Sequence, residues 1–289
     1  MLPTTAPSLT PIVLQTMAQT PDPRLRELLM ALVRHLHAFV QETRLSESEF
    51  EQALAIVNRI GQTSNDSHNE AVLMADVLGL SSYVALQANA DPQGVSDAAL
   101  LGPFWRANAP RLAPGSNIAA AGTPGLVLEV RGSVRDIHHR PVAGATVDVW
   151  QASPKGMYEN QDPDQPEMNL RGRFETDAEG GFFLRSVRPA GYPLPTHGPG
   201  GDLLRAQGRH PNRPAHLHFM VSKPGFKVLI TQVFAGDDVN LHSDPVFGVT
   251  ERLVGRFENV QRDGQMLATL HQQLTLLEGE MVFPHPPIA

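Results

Sequence analysis

The sequence predicts a mainly β protein with an α-helical N-terminal part, and three observations carry that expectation. Apolar residues recur at three- and four-residue steps from Asp22 to about Ala88, the spacing of helix faces. After Pro92 prolines and glycines recur every few residues, and short alternating stretches replace the helical rows. The chain has 289 residues, 41% hydrophobic and 18% charged, enough to bury a substantial core in one large domain or one large and one small. Helices are expected over residues 1–100 and a β-sandwich over residues 101–289.

The elements follow in order. In PRLRELLMALVRHLHAFVQETRL, residues Leu25, Leu28, Leu29, Leu32, Val33, Leu36 and Val40 form one helical row. Ser46 followed by Glu49 is a capping box opening SESEFEQALAIVNRIG, with Gly61 ending that helix. NEAVLMADVLGLSSYVALQAN is a third apolar helix, interrupted by Gly79. Strands are expected at LVLEVRGSV, ATVDVWQA, GFFLRSV, HLHFMVS and KVLITQVFA, and such short strands with turns between them indicate a sandwich or barrel. GSVRDIHHRPVAGATVDVWQ reads as a hairpin turning at residues 140–144. Residues 191–213 are rich in Gly and Pro with little strand pattern, and a long loop of that kind is usually functional or disordered. EGEMVFPHPPIA reads as a last strand and a loose tail.

Composition narrows the function. The net charge of −7 arises from 30 acidic and 23 basic residues with no basic block, so neither a nucleic acid nor an anionic membrane surface is an expected partner. There is no cysteine, which excludes a disulfide framework, a zinc thiolate site, an iron–sulfur cluster and a thiol nucleophile. The opening MLPTTAPSLTPIVLQTMAQTPD lacks the basic start and apolar core of a signal peptide, and no run of about 18 apolar residues occurs. A cytoplasmic protein with no membrane partner is the expectation.

The sharpest chemical feature is RPAHLHF. Side chains two apart on a strand share a face, so His216 and His218 look the same way. Either alone among 12 histidines reads as a buried imidazole bonded to a carbonyl. Together they repel when charged and waste hydrogen-bonding capacity when neutral, and a metal ion resolves both problems. Of three tyrosines, Tyr158 and Tyr192 lie in loops of the β part upstream of the pair, while Tyr83 lies in the helical part. A loop tyrosine commonly packs as an amphipathic aromatic. The alternative is phenolate ligation, which for a phenol with a pKa of about 10 needs a strong Lewis acid beside it, ferric iron above all. Spacing leaves both readings open.

The runs DVWQASPKGMY, LRGRFETDAEGGFFLRSVRPAGYPLP and GRHPNRPAHLHFMVSKPGFKVLITQVF resemble the intradiol ring-cleaving dioxygenases, specifically catechol and hydroxyquinol 1,2-dioxygenases. The likeness extends over nearly the whole chain, including RHLHAFVQETRL and LMADVLGLS. It implies a β-sandwich catalytic domain joined to a helical dimerisation and linker domain. It implies one non-haem Fe(III) per subunit, held by Tyr158 of KGMY, Tyr192 of AGYPLP, and His216 and His218 of RPAHLHF. Arg213 is then the cation over the substrate, and Gln232 of ITQVF a polar residue near the reacting atoms. Without the resemblance, these two read as an ordinary ion pair and a strand polar group. The implied reaction binds an aromatic diol through both oxygens, with the ligand matching Tyr192 giving way. O2 then cleaves the ring to a muconate-type diacid. The resemblance also implies a homodimer with a lipid in an apolar channel between helices. The leucine-rich face of residues 25–40 suits that role and equally suits packing on its own β part.

LGPFWRANAP, DLLRAQGRHPNRPAHLHF and SDPVFGVTERLV look closer to hydroxyquinol and chlorocatechol enzymes than to simple catechol enzymes. Asp76 matches a pocket-lining position where hydroxyquinol enzymes carry an acid able to accept from a third hydroxyl; capping or decorating its helix is the alternative. Leu73, Pro103 and Phe104 are the other positions expected around the ring, with Trp105 leaving the pocket shape open. Three functions stay in view: cleavage of hydroxyquinol to 3-hydroxy-cis,cis-muconate or maleylacetate, cleavage of catechol or chlorocatechol to the corresponding muconate, and a non-catalytic transthyretin-like binding module. The last rests on PVAGATVDVWQ followed by G-x-F-x-T.

Overall fold

The computed structural model describes residues 2–65, 68–88 and 94–287. The chain forms two compact units, Met1–Asn58 and Arg59–Ala289.

The first unit is built of α1 (Ala6–Met17), α2 (Pro23–Thr43) and most of α3 (Glu47–Thr63). Asp22 starts α2 by accepting from the backbone N–H groups of Arg24 and Leu25 at 2.7 and 3.0 Å, with Pro23 at the first helical position. The expected capping box opens α3: the Ser46 hydroxyl accepts from the Glu49 N–H at 3.3 Å, and the Glu49 carboxylate accepts from the Ser46 N–H at 2.8 Å. Gly61 does not end α3, which runs on to Thr63; one mid-helix glycine costs only about 1 kcal/mol. Helix α1 is an element the sequence reading passed over, because Pro11 stands inside it. The apolar row of α2 is left open: Leu25, Leu28, Leu32 and Leu36 are each close to half exposed.

In the second unit the expected third helix is broken in two, α4 (Glu70–Val77) and α5 (Leu80–Ala88), bent by 74°. Gly79 sits at the break with φ +74°, a left-handed conformation open to glycine at no steric cost. The rest comprises β1 (Val127–Asp136), β2 (Thr146–Trp150), β3 (Arg171–Glu175), β4 (Gly181–Val187), β5 (Tyr192–Pro193), α6 (Pro199–Ala206), β6 (Asn212–Arg213), β7 (His216–Ser222), β8 (Leu229–Ala235), β9 (Val254–Gly255), β10 (Glu258–Arg262) and β11 (Gln265–Leu276). They form a four-stranded sheet, β10-β11-β1-β4, and a five-stranded sheet, β3-β2-β7-β8-β9. Leu128 and Val130 of β1, Leu184 of β4 and Leu270 of β11 meet Val147, Val149, Leu217, Phe219 and Val233 of the other sheet in one buried cluster. This is the core of a β-sandwich.

Three expectations are corrected. The segment around residues 140–144 is not a hairpin, because β1 and β2 belong to different sheets. The Asp136 carboxylate accepts from the backbone N–H groups of His138 and Arg140 at 2.8 and 2.9 Å, shaping a turn that carries the chain between the layers. The last strand is not in EGEMVFPHPPIA but is β11, which ends at Leu276. It pairs antiparallel with β10 through Asp263 and Gly264, both at positive φ, the D-G turn that favours hairpins. Residues 191–213 are not featureless either: they hold α6, and at their neck Tyr192 pairs with Arg213 across the short β5–β6 ladder. The Gly-Gly pair at 200–201 hides α6 from propensity.

Strand β7 is the element that matters for function. Leu217, Phe219 and Val221 enter the inter-sheet core, while Met220 belongs to a second buried cluster with Leu73, Val77, Phe104, Trp105, Trp150, Tyr158, Tyr192 and Leu204. The outer face of the five-stranded sheet is thus covered by α4, α6 and the segment around Phe104. His216 and His218 share Met220's face of the strand and are buried there.

Candidate active site

Register lines up the floor of the site. Arg171 of β3 lies opposite Trp150 of β2, Trp150 opposite His218 of β7, and His218 opposite Gln232 of β8. Residues facing one another across neighbouring strands share a sheet face, so these four form a single cross-strand row. The Trp150 indole lies flat against the His218 imidazole, ring centroids 4.7 Å apart at 11°.

His216 and His218 bring their Nε2 atoms to 3.1 Å. The Nδ1–H of His216 donates to the Pro214 carbonyl at 2.7 Å, which leaves its Nε2 lone pair directed at the shared space. Nδ1 of His218 is buried with no hydrogen-bond partner among the described residues. Burial, aided by Arg213, lowers the His216 pKa to about 3; burial, the neighbouring His216 and Arg213 hold His218 well below its ordinary value. Both rings are therefore neutral, the form that binds metals.

The two tyrosines close on this pair. Ring centroids are 5.6 Å apart for Tyr158 and Tyr192, 5.6 Å for Tyr192 and His216, and 6.4 Å for Tyr158 and His218. The Tyr158 hydroxyl is buried without a well-formed hydrogen bond, and burial pushes its phenol well above 10, the nearby Tyr192 adding to the effect. A buried hydroxyl without a partner is costly. Coordination would satisfy it. Two donors each about 2.1 Å from one ion and at right angles to it stand about 3 Å apart, the spacing of the two Nε2 atoms. Among the described residues no group of three or more His, Asp or Glu side chains is placed to hold a metal. An ion here would complete its shell with phenol oxygens, and two imidazoles with two phenols suit a hard, highly charged ion such as Fe(III).

Arg213 is buried beside this cluster. Its Nε and Nη2 donate to the two Asp244 carboxylate oxygens, both at 3.1 Å, and Nη2 also reaches the Gln232 amide oxygen at 3.2 Å. The Gln232 Nε2 donates to the Leu100 carbonyl at 2.6 Å, so the amide is fixed at both ends. Burial raises the Asp244 carboxyl, but the Arg213 charge outweighs it and holds the acid below its ordinary value. Arg213 stays charged in turn, burial opposing and Asp244 prevailing.

A cavity of about 270 Å³ opens above the cluster, lined by Leu73, Asp76, Pro103, Phe104, Tyr192 and Arg213 among others. A cavity of about 150 Å³ accepts benzene, so this one has room for a ring with polar substituents. Phe104 stacks on Tyr158 with centroids 4.4 Å apart and forms one wall. Gly102 passes at φ +73° so close to His218 that an added Cβ would lie 3.2 Å from Cε1. Asp76 is only 9% exposed, and its pKa is raised, chiefly by burial, against the pull of Ser81 and Arg213. All ten residues singled out from the sequence thus gather in one region. Sequence reading missed Asp244, Trp150 and Arg171, along with His68 and His197, which also line the cavity. Register alone reveals Trp150 and Arg171; for Asp244 the only signal was its place in SDPVFGVTERLV.

Residues 22–96 match the family described as catechol dioxygenase N terminus, and residues 100–277 match the dioxygenase family. A hydroxyquinol 1,2-dioxygenase of Rhizobium sp. (strain MTP-10005) is 42% identical over 250 residues, covering 86% of this chain and 84% of that protein. A catechol 1,2-dioxygenase of Candida albicans is 38% identical over 256 residues, 87% of this chain and 84% of that one. The crystal structure of hydroxyquinol 1,2-dioxygenase from Pseudomonas putida DLL-E4 superposes with a TM-score of 0.89 at 35% identity, over 95% of this chain and 99% of that chain.

Proposed function

The chain belongs to the intradiol ring-cleavage dioxygenase family, and from that premise we propose that it cleaves hydroxyquinol, 1,2,4-trihydroxybenzene, between its adjacent hydroxyls. O2 is the co-substrate, and the product is 3-hydroxy-cis,cis-muconate or its tautomer maleylacetate. The observation that carries the choice of diol is Asp76. Its carboxyl is buried in the wall of the cavity that Arg213 and Tyr192 also line. A buried acid in the pocket wall favours a ring that offers it a hydroxyl and penalises one that offers hydrogen or chlorine. The test is kcat/KM for hydroxyquinol, catechol and 4-chlorocatechol, in the parent chain and in Asp76→Asn. Hydroxyquinol should lead by about tenfold or more in the parent, and the variant should narrow the gap. Equal use of catechol, unaffected by the substitution, would sink the assignment.

The cofactor in this reading is one Fe(III) per subunit, with Tyr158, Tyr192, His216 and His218 as its protein ligands. Bound there, the ion would supply the Lewis acidity and the shared electron density that make a diol ring reactive toward O2. The protein's own groups do the rest. Tyr192, at the neck of the 191–213 excursion, accepts a diol proton at Oη as the ring enters. His216 keeps its Nε2 lone pair inward through its bond to Pro214. Arg213, held rigid by Asp244 and Gln232, places a fixed positive charge where negative charge develops during C–C cleavage. Leu73, Pro103 and Phe104 shape the dry walls that orient the ring.

Residues 1–100 serve in this reading as the dimerisation and linker part and residues 101–289 as the catalytic part. The exposed apolar row on α2 is the surface that such a homodimer, with its lipid, would cover. Among the described residues no single helix is long and apolar enough to cross a membrane.

A further inference from the structure

A buried ion pair lies behind the site, and none of the roles above uses it. Arg171 is 2% exposed, and its row-mates are Trp150, His218 and Gln232. Its Nε donates to Glu159 Oε1 at 2.7 Å, and its Nη1 donates to the Phe104 carbonyl at 2.6 Å. Nη2 lies 2.7 Å from Glu159 Oε2, close but off the hydrogen-bonding angle. Arg106 also donates to Glu159, at 3.2 Å. The guanidinium carbon is 5.8 Å from the Tyr158 ring centroid.

Glu159 is the residue after Tyr158, and Phe104 is the ring stacked on Tyr158. One guanidinium therefore holds the side chain of the residue next to the phenol and the backbone carbonyl of the residue whose ring lies on it. A buried ion pair is a poor way to gain stability, since taking two charges out of water costs as much as their attraction returns, and apolar residues of similar volume often do as well. What the charged pair adds over an apolar one is directional: a planar fork with fixed bond vectors at two points. We propose that Arg171, through Glu159 and Phe104, is the positioning residue that fixes the Tyr158 oxygen as a ligand and sets the Phe104 wall at the same time.

This inference rests on Tyr158 being an iron ligand, so the experiment separates the two. The iron-loaded chain is purified as wild type, Tyr158→Phe, Arg171→Lys and the double variant Arg171→Met/Glu159→Leu, and each is followed by its visible phenolate-to-iron charge-transfer band, iron content, thermal midpoint, kcat and KM. Wild type without a band, or Tyr158→Phe with the band unchanged, overturns the ligand reading. If the band depends on Tyr158, the double variant should fold and bind iron with a displaced band and kcat/KM lower by about tenfold or more. The loss should divide between kcat, through Tyr158, and KM, through Phe104. Arg171→Lys keeps the charge but not the fork, so its band should move as well. Should the double variant fail to fold, Arg171→Lys decides alone. A wild-type band and wild-type kcat/KM in whichever variant folds would show that the pair is structural only, and would overturn the proposal.

Discussion

Burial prevails over the neighbouring charges at Asp148, outside the ligand cluster. It stands two residues before Trp150 on β2 and accepts from the Trp105 indole at 3.2 Å. Burial raises its pKa from 3.8 to about 6, against the opposing pull of Trp105, Arg173 and Arg171. The folded chain keeps a proton that the unfolded chain releases. The stability from this group is therefore fully present below about pH 4 and is lost as pH rises through about 6, on the order of 2–3 kcal/mol. Asp148→Asn can accept the same indole N–H without titrating. Its unfolding free energy, measured in denaturant at several pH values, should gain on wild type between pH 4 and 7 by about that amount. A difference that does not change with pH would mean the carboxyl is solvated. At this scale the residues legible in the sequence were those sharing a short motif, as Arg213, His216 and His218 do in RPAHLHF. Asp244, 31 positions from Arg213, and Arg171, on a strand two away from β7, become partners only through tertiary pairing. Periodicity carries no record of that.

Elements were legible where local pattern and tertiary role agree. Strands β4 and β7 run as the alternation in GFFLRSV and HLHFMVS predicts, and the Ser46–Glu49 box opens α3 as written. The misread hairpin at residues 140–144 has a tertiary cause. Whether two strands joined by a turn pair with each other or part into opposite layers is settled by which neighbours bury them, and β1 takes β4 and β11 in place of β2. The α4–α5 break shows the converse, a local signal with a tertiary purpose. Gly79 lets α4 stop one residue after Asp76, at Val77, and an added Cβ there would stand 3.1 Å from the Phe247 ring. Gly79→Ala should cost roughly 1–2 kcal/mol from the left-handed backbone alone, read as a lower denaturation midpoint. It should also raise KM for the diol, because Asp76 and Leu73 ride on α4. An unchanged midpoint would show that the turn relaxes freely.

For the whole molecule, the first question is what covers α2. Leu28 and Leu32 are 50% and 54% exposed, and a row of such leucines on one helix is an unusual surface for a chain that works alone. Leu28→Lys combined with Leu32→Lys should convert a dimer into a monomer by light scattering while the visible band of the second unit persists. If the parent chain is already monomeric, the homodimer proposal falls. The topology of the sandwich has a further consequence, one of timing. β1 takes β11 as its parallel partner over nine consecutive residue pairs, although every other strand of the fold lies between them in the chain. Closing that loop comes before any reward from the contact, a feature that slows folding. During synthesis the four-stranded layer stays incomplete until β11 has left the ribosome, and β1, with Leu128, Val130 and Val134 on its inner face, must wait with one edge unpaired. Of all the strands, β1 has the longest wait for its partner, which makes it the segment where self-association during folding would begin.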